Sequence, residues 1–456
     1  MFKFRCYTNI RKSRHFSAKN ELFFERTYIM NALQLAEYIR AGKADATLNS
    51  LYGKNLDRQR KRYADACEKF AELYGADKDA FVFSVPGRSE ISGNHTDHNK
   101  GKVLAGAIDL DIIAIAAKTD DGLVRVRSEG YSEDRVDLSD IAEPKQENFF
   151  KSRGLIAGVC AGLKNKGFDI CSFCAYTTND VHKGSGLSSS AAFEVMIGNI
   201  LNHLANGGKI DNPEIAKISQ FAENVYFGKP CGLMDQTACA VGGFVAIDFA
   251  DPTKPVIEPI EFDLSGKGYS LCIINTGGNH ADLNDDYASV PAEMKAIAAY
   301  YGKDALRGLT EEDLIKDMPV LRKAAGDRAI MRAMHFVAEN KRVEKQTEAL
   351  RAGNLDEFFG GVFASGNSSF KYLQNVYTTK NVAEQGLSLA LCVTEYITSG
   401  WGGAFRVHGG GFAGTIQAFI PTEKVEEYKG IMDSVFGEGA CAALKIRPEG
   451  AIIVNL

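Results

Sequence analysis

Gly184-Ser185-Gly186-Leu187-Ser188-Ser189-Ser190-Ala191-Ala192 is the stretch on which the reading of this chain turns. It lies between an apolar, extended run at 173–177 and a stretch of helical periodicity at 191–205, so it reads as a strand-to-helix turn. Glycines let a backbone approach a ligand closely. The unpaired amides and serine hydroxyls of a helix start form an anion site that the helix dipole favours. No Gly-Lys-Ser/Thr follows, so this is not a Walker A loop, and taken alone it is also compatible with an N-capped helix after a flexible turn.

Outward from this loop, three further segments carry chemistry. Pro86-Gly87-Arg88-Ser89-Glu90-Ile91-Ser92-Gly93-Asn94-His95-Thr96-Asp97-His98 follows a short strand at 81–83 and groups an arginine, histidines, an asparagine and an aspartate around two glycines. Such a cluster suits a polyhydroxylated ligand, because a site that pairs hydroxyls rejects molecules that leave its polar groups unsatisfied. Gly228-Lys229-Pro230-Cys231-Gly232-Leu233-Met234-Asp235-Gln236 places one carboxylate in a largely uncharged neighbourhood. A kinase acting on an alcohol needs a carboxylate to orient the hydroxyl and accept its proton, and a cation to steady the phosphoryl charge. Asp235 and Arg88 fit those roles, although taken alone they read better as a helix-capping acid and a surface charge respectively. His408-Gly409-Gly410-Gly411-Phe412-Ala413-Gly414 is a glycine-rich turn between strands, suited to close packing against the nucleotide loop.

The whole-chain numbers set bounds. With 456 residues, 45% hydrophobic and 24% charged, the chain is long enough for two packed lobes. Its net charge of −5, without a basic stripe interleaved with aromatics, argues against a nucleic-acid partner. No apolar run reaches the roughly 18 residues of a membrane span, and the run at 108–117 is broken by Asp109 and Asp111, so a soluble protein is expected. Ten cysteines without regular spacing point to a reducing cytoplasm. The one Cys-x-x-C, Cys171 to Cys174, sits in an apolar run and reads as buried small hydrophobes rather than a zinc or redox pair. Residues 1–29 are basic but carry Glu21 and Glu25 and lack a signal-peptide core; they read as a disordered leader or an upstream-start extension before Met30.

Periodicity predicts a surface helix at 55–74, strands at 102–118 and 123–127 joined by an Asp120-Asp121-Gly122 turn, and helices at 154–165, 191–205, 212–226, 327–351 and 382–397. Parts of 283–301 are also helical by pattern. Strands are expected near 244–249, 271–275, 404–408 and 413–420, then a last helix from Thr422. The pattern is α+β without regular βαβ alternation, which argues against a Rossmann sheet.

In this order, over residues 80–420, the four segments resemble the galactokinase branch of the GHMP small-molecule kinases. Members of that branch show G-R-V-N-L-I-G-E-H-T-D-Y, G-x-G-L-S-S-S-A, P-C-G-I-M-D-Q and a late glycine-rich motif, matched here at 87–98, 184–191, 230–236 and 409–414. The resemblance implies a two-lobed GHMP kinase fold: an N-terminal lobe of mixed sheet and helices over 30–250, a C-terminal α/β lobe over 251–456, and an active site in the cleft between them. It implies ATP-dependent, magnesium-requiring phosphorylation of the anomeric hydroxyl of galactose, by a monomer with a small sugar as its substrate and no nucleic-acid or membrane partner.

Position by position, the resemblance implies that Asp235 is the catalytic base or orienting carboxylate and Arg88 its partner. Gly184, Ser185, Gly186, Leu187, Ser188, Ser189 and Ser190 bind ATP phosphates, and Ser190 and Glu223 hold magnesium. Asn94, His95, Asp97, Gly232 and Tyr287 contact the sugar. The tyrosine is assigned by its spacing, seven residues after His280, and an aromatic packed on the core is the alternative reading there.

Two departures stand out. Relatives carry glutamate where this chain has Asn94, and Ser89, Glu90, Ser92 and His98 replace the usual Val, Asn, Ile and Tyr. A neutral Asn94 would tolerate a carboxylate on the sugar's exocyclic carbon, so galacturonate or L-arabinose is the alternative substrate. A non-catalytic galactose and ATP sensor is a second alternative, disfavoured by the intact serine loop and Asp235. A mevalonate- or homoserine-type kinase is a third, disfavoured by His95-Thr96-Asp97.

Overall fold

Two strands, β1 (Phe81–Ser92) and β2 (Lys102–Lys118), run antiparallel along most of their length, with Phe81 opposite Ala116 and Ser92 opposite Leu104. The computed structural model describes residues 30–53, 55–181, 186–278 and 283–455. The expected leader over 1–29, Gly184 and Ser185 of the serine loop, and His280 lie outside the described residues. β2 is nearly continuously apolar because helices cover both of its faces. Ile112, Ala114 and Ala116 enter one apolar cluster, while Ile113, Ile115 and Ala117 enter another. Helices α1 (Ala32–Arg40), α2 (Asp45–Tyr52) and α3 (Leu56–Tyr74) build the second cluster, with Tyr63, Cys67 and Phe70 at helical spacing on the buried side of α3.

The sheet widens through β3 (Leu123–Ser128), β4 (Glu133–Asp137), β5 (Phe173–Asn179), β6 (Phe244–Asp248) and β7 (Val256–Ile260). The turn after β2 does not make a hairpin: β5 inserts between β2 and β3, pairing antiparallel with the first and parallel with the second. Helices α4 (Ser152–Asn165), α5 (Ser189–Asn206), α6 (Asn212–Phe221) and α7 (Met234–Val241) cover the other face. α6 starts where the Asp211 side chain accepts from the Glu214 amide, with Pro213 in the first turn, and it runs into a π-helical turn, Ala222–Phe227. Cys171 and Cys174 fall in the two different apolar clusters.

A second, fully antiparallel sheet has the order β11-β8-β10-β9, where β8 is Tyr269–Asn275, β9 Ala404–His408, β10 Thr415–Pro421 and β11 Cys441–Leu444. The chain then returns to the first sheet as β12 (Ile452–Ile453), beside β1. Helices α8 (Asn284–Tyr300), α9 (Glu311–Ala324) and α10 (Asp327–Ala352) form their own cluster around Met294, Leu314 and Phe336. α10 also packs with α11 (Leu355–Ser368) against the second sheet, whose far face is covered by α12 (Gly386–Thr398) and α13 (Val425–Phe436). The last helix therefore begins at Val425, after a 3₁₀ turn at Thr422–Lys424.

Asp111, which interrupts the apolar run of β2, is fully buried and joins the two ends of the chain. Arg62 Nη1 of α3 reaches it at 2.7 Å and Arg447 Nη1 at 3.2 Å. Such a pair is costly to break, because removing one partner leaves the other charge buried and unpaired.

Candidate active site

β1 does not end at Phe83; it runs on through the polar motif and so carries Arg88 and Glu90 on a rigid strand. The Arg88 amide donates to the Leu187 carbonyl at 3.1 Å, and its Nη1 donates to the Gly186 carbonyl, so the serine loop is stitched to β1. Arg88 Nε and Nη2 donate to Asp235 Oδ1 and Oδ2, each at 2.7 Å. Asp235 stands in the first turn of α7, where the helix dipole favours an anion. Ser188 adopts a left-handed conformation, φ 62°, and its hydroxyl donates to Asp235 Oδ2. Burial pushes the Asp235 carboxyl up, but the Arg88 guanidinium and the Ser188 hydroxyl outweigh it and hold the group below its ordinary value. Ser189 and Ser190, half-buried, open α5 immediately afterwards.

The loop after β1 turns at Gly93, φ 95°, where a Cβ would lie 2.5 Å from the Lys102 carbonyl. His95 is half-buried, and its Nε2 lies 2.9 Å from the Gly410 carbonyl. Because a carbonyl only accepts, Nε2 carries the proton and Nδ1 is left as an acceptor. Burial pushes its pKa down to about 4, which keeps the ring neutral. Asp97 abuts Gly232 so closely that a Cβ there would come 2.4 Å from Asp97 Oδ2. Tyr287 lies edge-on to Phe412 and donates its hydroxyl to the Gly411 carbonyl at 2.8 Å. In the 409–414 turn, the carbonyls of Gly409, Gly410 and Gly411 thus accept from Asn94, His95 and Tyr287, a packing role additional to the one expected beside the serine loop. His408, at the start of that turn, is what lies against Gly186.

Asn94 does not present itself as a free group. It is fully buried, its Nδ2 donates to Glu90 Oε1 at 2.8 Å and to the Gly409 carbonyl at 2.7 Å, and its Oδ1 accepts from Asn375. Behind it lies a polar hub that the sequence reading missed. His335 Nε2 donates to the Asn94 carbonyl, while Glu339 accepts from the Gly93 amide, Ser92, Ser365 and Arg342. Arg406 of β9 reaches Glu90 and the Ile91 carbonyl. His335 and Glu339 stand four apart on one face of α10, the only hint of the hub that the sequence carried.

Glu223 is 2% exposed in the π-helical turn; its Oε2 accepts from Gln236 Nε2 at 2.8 Å and its Oε1 from Lys229 Nζ at 3.0 Å. Gln236, next to Asp235, also donates to the buried Glu194, one turn after Ser190 on α5. Glu194 Oε1 and Gln236 Oε1 are buried without a hydrogen-bond partner. The sequence reading gave neither residue a role, and the i, i+4 spacing from Ser190 to Glu194 was the available signal.

Residues 68–118 match the galactokinase galactose-binding signature, and residues 154–243 match the GHMP kinases N terminal domain. The chain is 31% identical over 383 residues to a galactokinase of Streptomyces coelicolor, spanning 83% of this chain and 93% of that protein. It is 34% identical over 372 residues to a galactokinase of Actinobacillus pleuropneumoniae, spanning 80% and 92%. Among solved structures, the Lactococcus lactis galactokinase complexed with galactose superposes with a TM-score of 0.70 at 24% identity, over 85% of this chain and 98% of that one. The Methanococcus jannaschii mevalonate kinase superposes at 0.56 and 15% identity, over 80% and 98%. The fold is that of the GHMP kinases, and with its motifs in order and its relatives matched almost end to end, the chain belongs to the galactokinase family.

Proposed function

We propose that this protein transfers the γ-phosphoryl group of ATP to the anomeric hydroxyl of galactose, giving galactose 1-phosphate. The observation that carries the reading is the two-point Arg88–Asp235 pair held against the serine loop, with the Ser188 hydroxyl on the same carboxylate. This contact supports reading the helix start as the phosphate site and Asp235 as the orienting carboxylate beside it. Asp235 orients the sugar hydroxyl and accepts its proton as the bond to phosphorus forms; Arg88 holds that carboxylate and offsets charge on the moving phosphoryl. The amides and hydroxyls of residues 184–190 take the phosphates. His95, Asp97, Gly232 and Tyr287 are assigned to the sugar, Gly232 by letting Asp97 approach.

The donor set suits magnesium. Ser190 and Glu223 offer hard oxygens, and the buried Glu194 Oε1 and Gln236 Oε1 are two further oxygens nearby without a hydrogen-bond donor. No cluster of three or more metal-ligating side chains occurs among the described residues. Ser190 and Glu223 would hold magnesium, for which two protein ligands suffice, and the ion would supply positive charge to offset that of the ATP phosphates.

The case for galacturonate or L-arabinose required a neutral side chain at 94 facing the sugar. Asn94 is enclosed and bonded to the Glu90 carboxylate, so that opening is not neutral. The enzyme is read as a cytoplasmic monomer whose partner is its sugar substrate, without nucleic-acid or membrane partners. The cysteines among the described residues are all free, which suits a reducing compartment, and no helix among them is long and apolar enough to cross a membrane.

The test is ADP release with ATP and magnesium on galactose, galacturonate, L-arabinose and N-acetylgalactosamine. Galactose should be the best substrate. Turnover confined to another sugar, or binding of galactose and ATP without ADP release, would overturn the proposal.

A further inference from the structure

The register of β1 with β2 is regular from Arg88, opposite Ala107, to Glu90, opposite Ala105. Their side chains therefore leave the same face of the strand, about 6.6 Å apart along it. Arg88 marks the reacting end of the cleft through its bond to Asp235. A hexopyranose laid along this face, with its anomeric hydroxyl at Asp235, brings its opposite edge to Glu90.

Asn94 cannot serve that edge, because it is 0% exposed and both polar atoms are committed: Nδ2 to Glu90 Oε1 and the Gly409 carbonyl, Oδ1 to Asn375 Nδ2 at 2.7 Å and Ser369 Oγ at 3.4 Å. Glu90 is differently placed. Its Oε1 takes both Asn94 Nδ2, at 2.8 Å, and Arg406 Nη2, at 3.2 Å. Its Oε2 makes no hydrogen bond among the described residues and is not sealed from solvent, although the side chain is only 8% exposed. Arg88 and Asp97 both act on this carboxylate electrostatically. Against the signature quoted above, amide and carboxylate have changed places between positions 90 and 94, and in this chain they bond to each other.

We propose that Glu90 is a specificity-determining residue whose Oε2 accepts a hydrogen bond from a hydroxyl on the sugar edge remote from the reacting one. Asn94 is the positioning residue that engages Oε1 and so aims Oε2 outward. The inference rests on the sugar-kinase reading given above and adds to it the group that reads the far edge.

The test is kcat/KM for galactose and for its 3-, 4- and 6-deoxy analogues, with wild type first and then Glu90→Gln. Gln keeps an acceptor for Asn94 and Arg406 but turns the free position into a donor. Wild type should lose about 10- to 100-fold on one of the three analogues, the worth of a hydrogen bond to a charged group. Glu90→Gln should lose a similar factor on galactose, mainly in KM, and should no longer distinguish galactose from that analogue. The exchange Glu90→Asn with Asn94→Gln should show the same loss of discrimination, and it also serves if Glu90→Gln melts early. A wild type that turns over all three analogues as well as galactose overturns the proposal without any variant, and so does a folded, galactose-active Glu90→Gln with unchanged discrimination. Wild type inactive on galactose overturns the functional reading itself, an outcome distinguishable from either.

Discussion

Arg88 on β1 and Asp235 on α7, 147 residues apart in sequence, meet through two parallel hydrogen bonds of 2.7 Å. This geometry bears on the role of base proposed above for the carboxylate. A base that removes a proton early needs a pKa near the working pH, and Asp235 is held below its ordinary value instead. It suits a loose phosphoryl-transfer transition state, in which the hydroxyl needs alignment first and gives up its proton late. Asp235→Asn should lower kcat on the order of 10²- to 10⁴-fold with ATP affinity little changed. Single-turnover kinetics beside calorimetric ATP titration checks this, and near-normal turnover would remove Asp235 from the role.

Gly232→Ala tests whether close approach at position 232 matters. The new Cβ would lie 2.4 Å from Asp97 Oδ2, and the end of the Asp97 side chain can swing away at little cost to stability. KM for the sugar should rise about tenfold or more while KM for ATP and the melting temperature stay near wild type. A parallel rise in both KM values would argue for general disruption instead.

Gly411→Ala should behave in the opposite way. Its φ is +80°, and a Cβ there would sit 2.0 Å from the Asn375 carbonyl, a backbone atom that cannot step aside. The expected result is a loss of several kcal/mol of stability, seen as a drop in melting temperature or as insoluble protein.

His335 predicts a pH dependence of stability. It is fully buried, with Nε2 donating to the Asn94 carbonyl and Nδ1 accepting from Ser368, and burial pushes its pKa down from 6.5 to about 4. Between those values the unfolded chain binds a proton that the native protein refuses. Stability is therefore present above about pH 6.5 and falls as pH drops toward 4, by on the order of 3 kcal/mol. Glu339, held well below its ordinary value by Arg342 despite its burial, adds a further loss only in the more acid range. Melting temperatures from pH 7.5 to 5 should decline less in His335→Gln than in wild type.

Glu223→Gln tests the magnesium assignment. Half-maximal turnover should require at least about tenfold more magnesium, with sugar binding in the absence of nucleotide unchanged, and chelation should abolish wild-type turnover. Manganese titration followed by electron paramagnetic resonance reads the same affinity independently of catalysis. Equal affinities in both proteins would exclude Glu223 as a ligand.

Much of this was legible in the residues. Helical spacing of Tyr63, Cys67 and Phe70 located α3, and the glycine-serine run located the start of α5. What failed were statements about what comes next to what. The strand at 81–83 was read as ending where polar residues begin, yet β1 continues to Ser92 because Ser84, Ser89 and Ser92 find partners in Asp111, Gln417 and Glu339. The strands on either side of the turn at 120–122 are present, but which strands pair could not be read from it: β5 separates the two. A polar residue reads as a loop until its distant partner is known.

By itself, the sequence determined which chemistry was available: the order of the four motifs, the serine loop opening a helix, a lone aspartate beside a glycine, and an arginine after a strand. These are local facts, carried by residue type and spacing. Only the tertiary structure decided which polar side chains are enclosed and which keep an atom free. Asn94, marked by its position as a sugar contact, is drawn inward by the Gly409 carbonyl 315 residues away, while Glu90, two residues along β1 from Arg88, keeps an oxygen free. The physical reason is that strand register and long-range hydrogen bonds set the direction in which a side chain points, and neither is written in the neighbouring sequence.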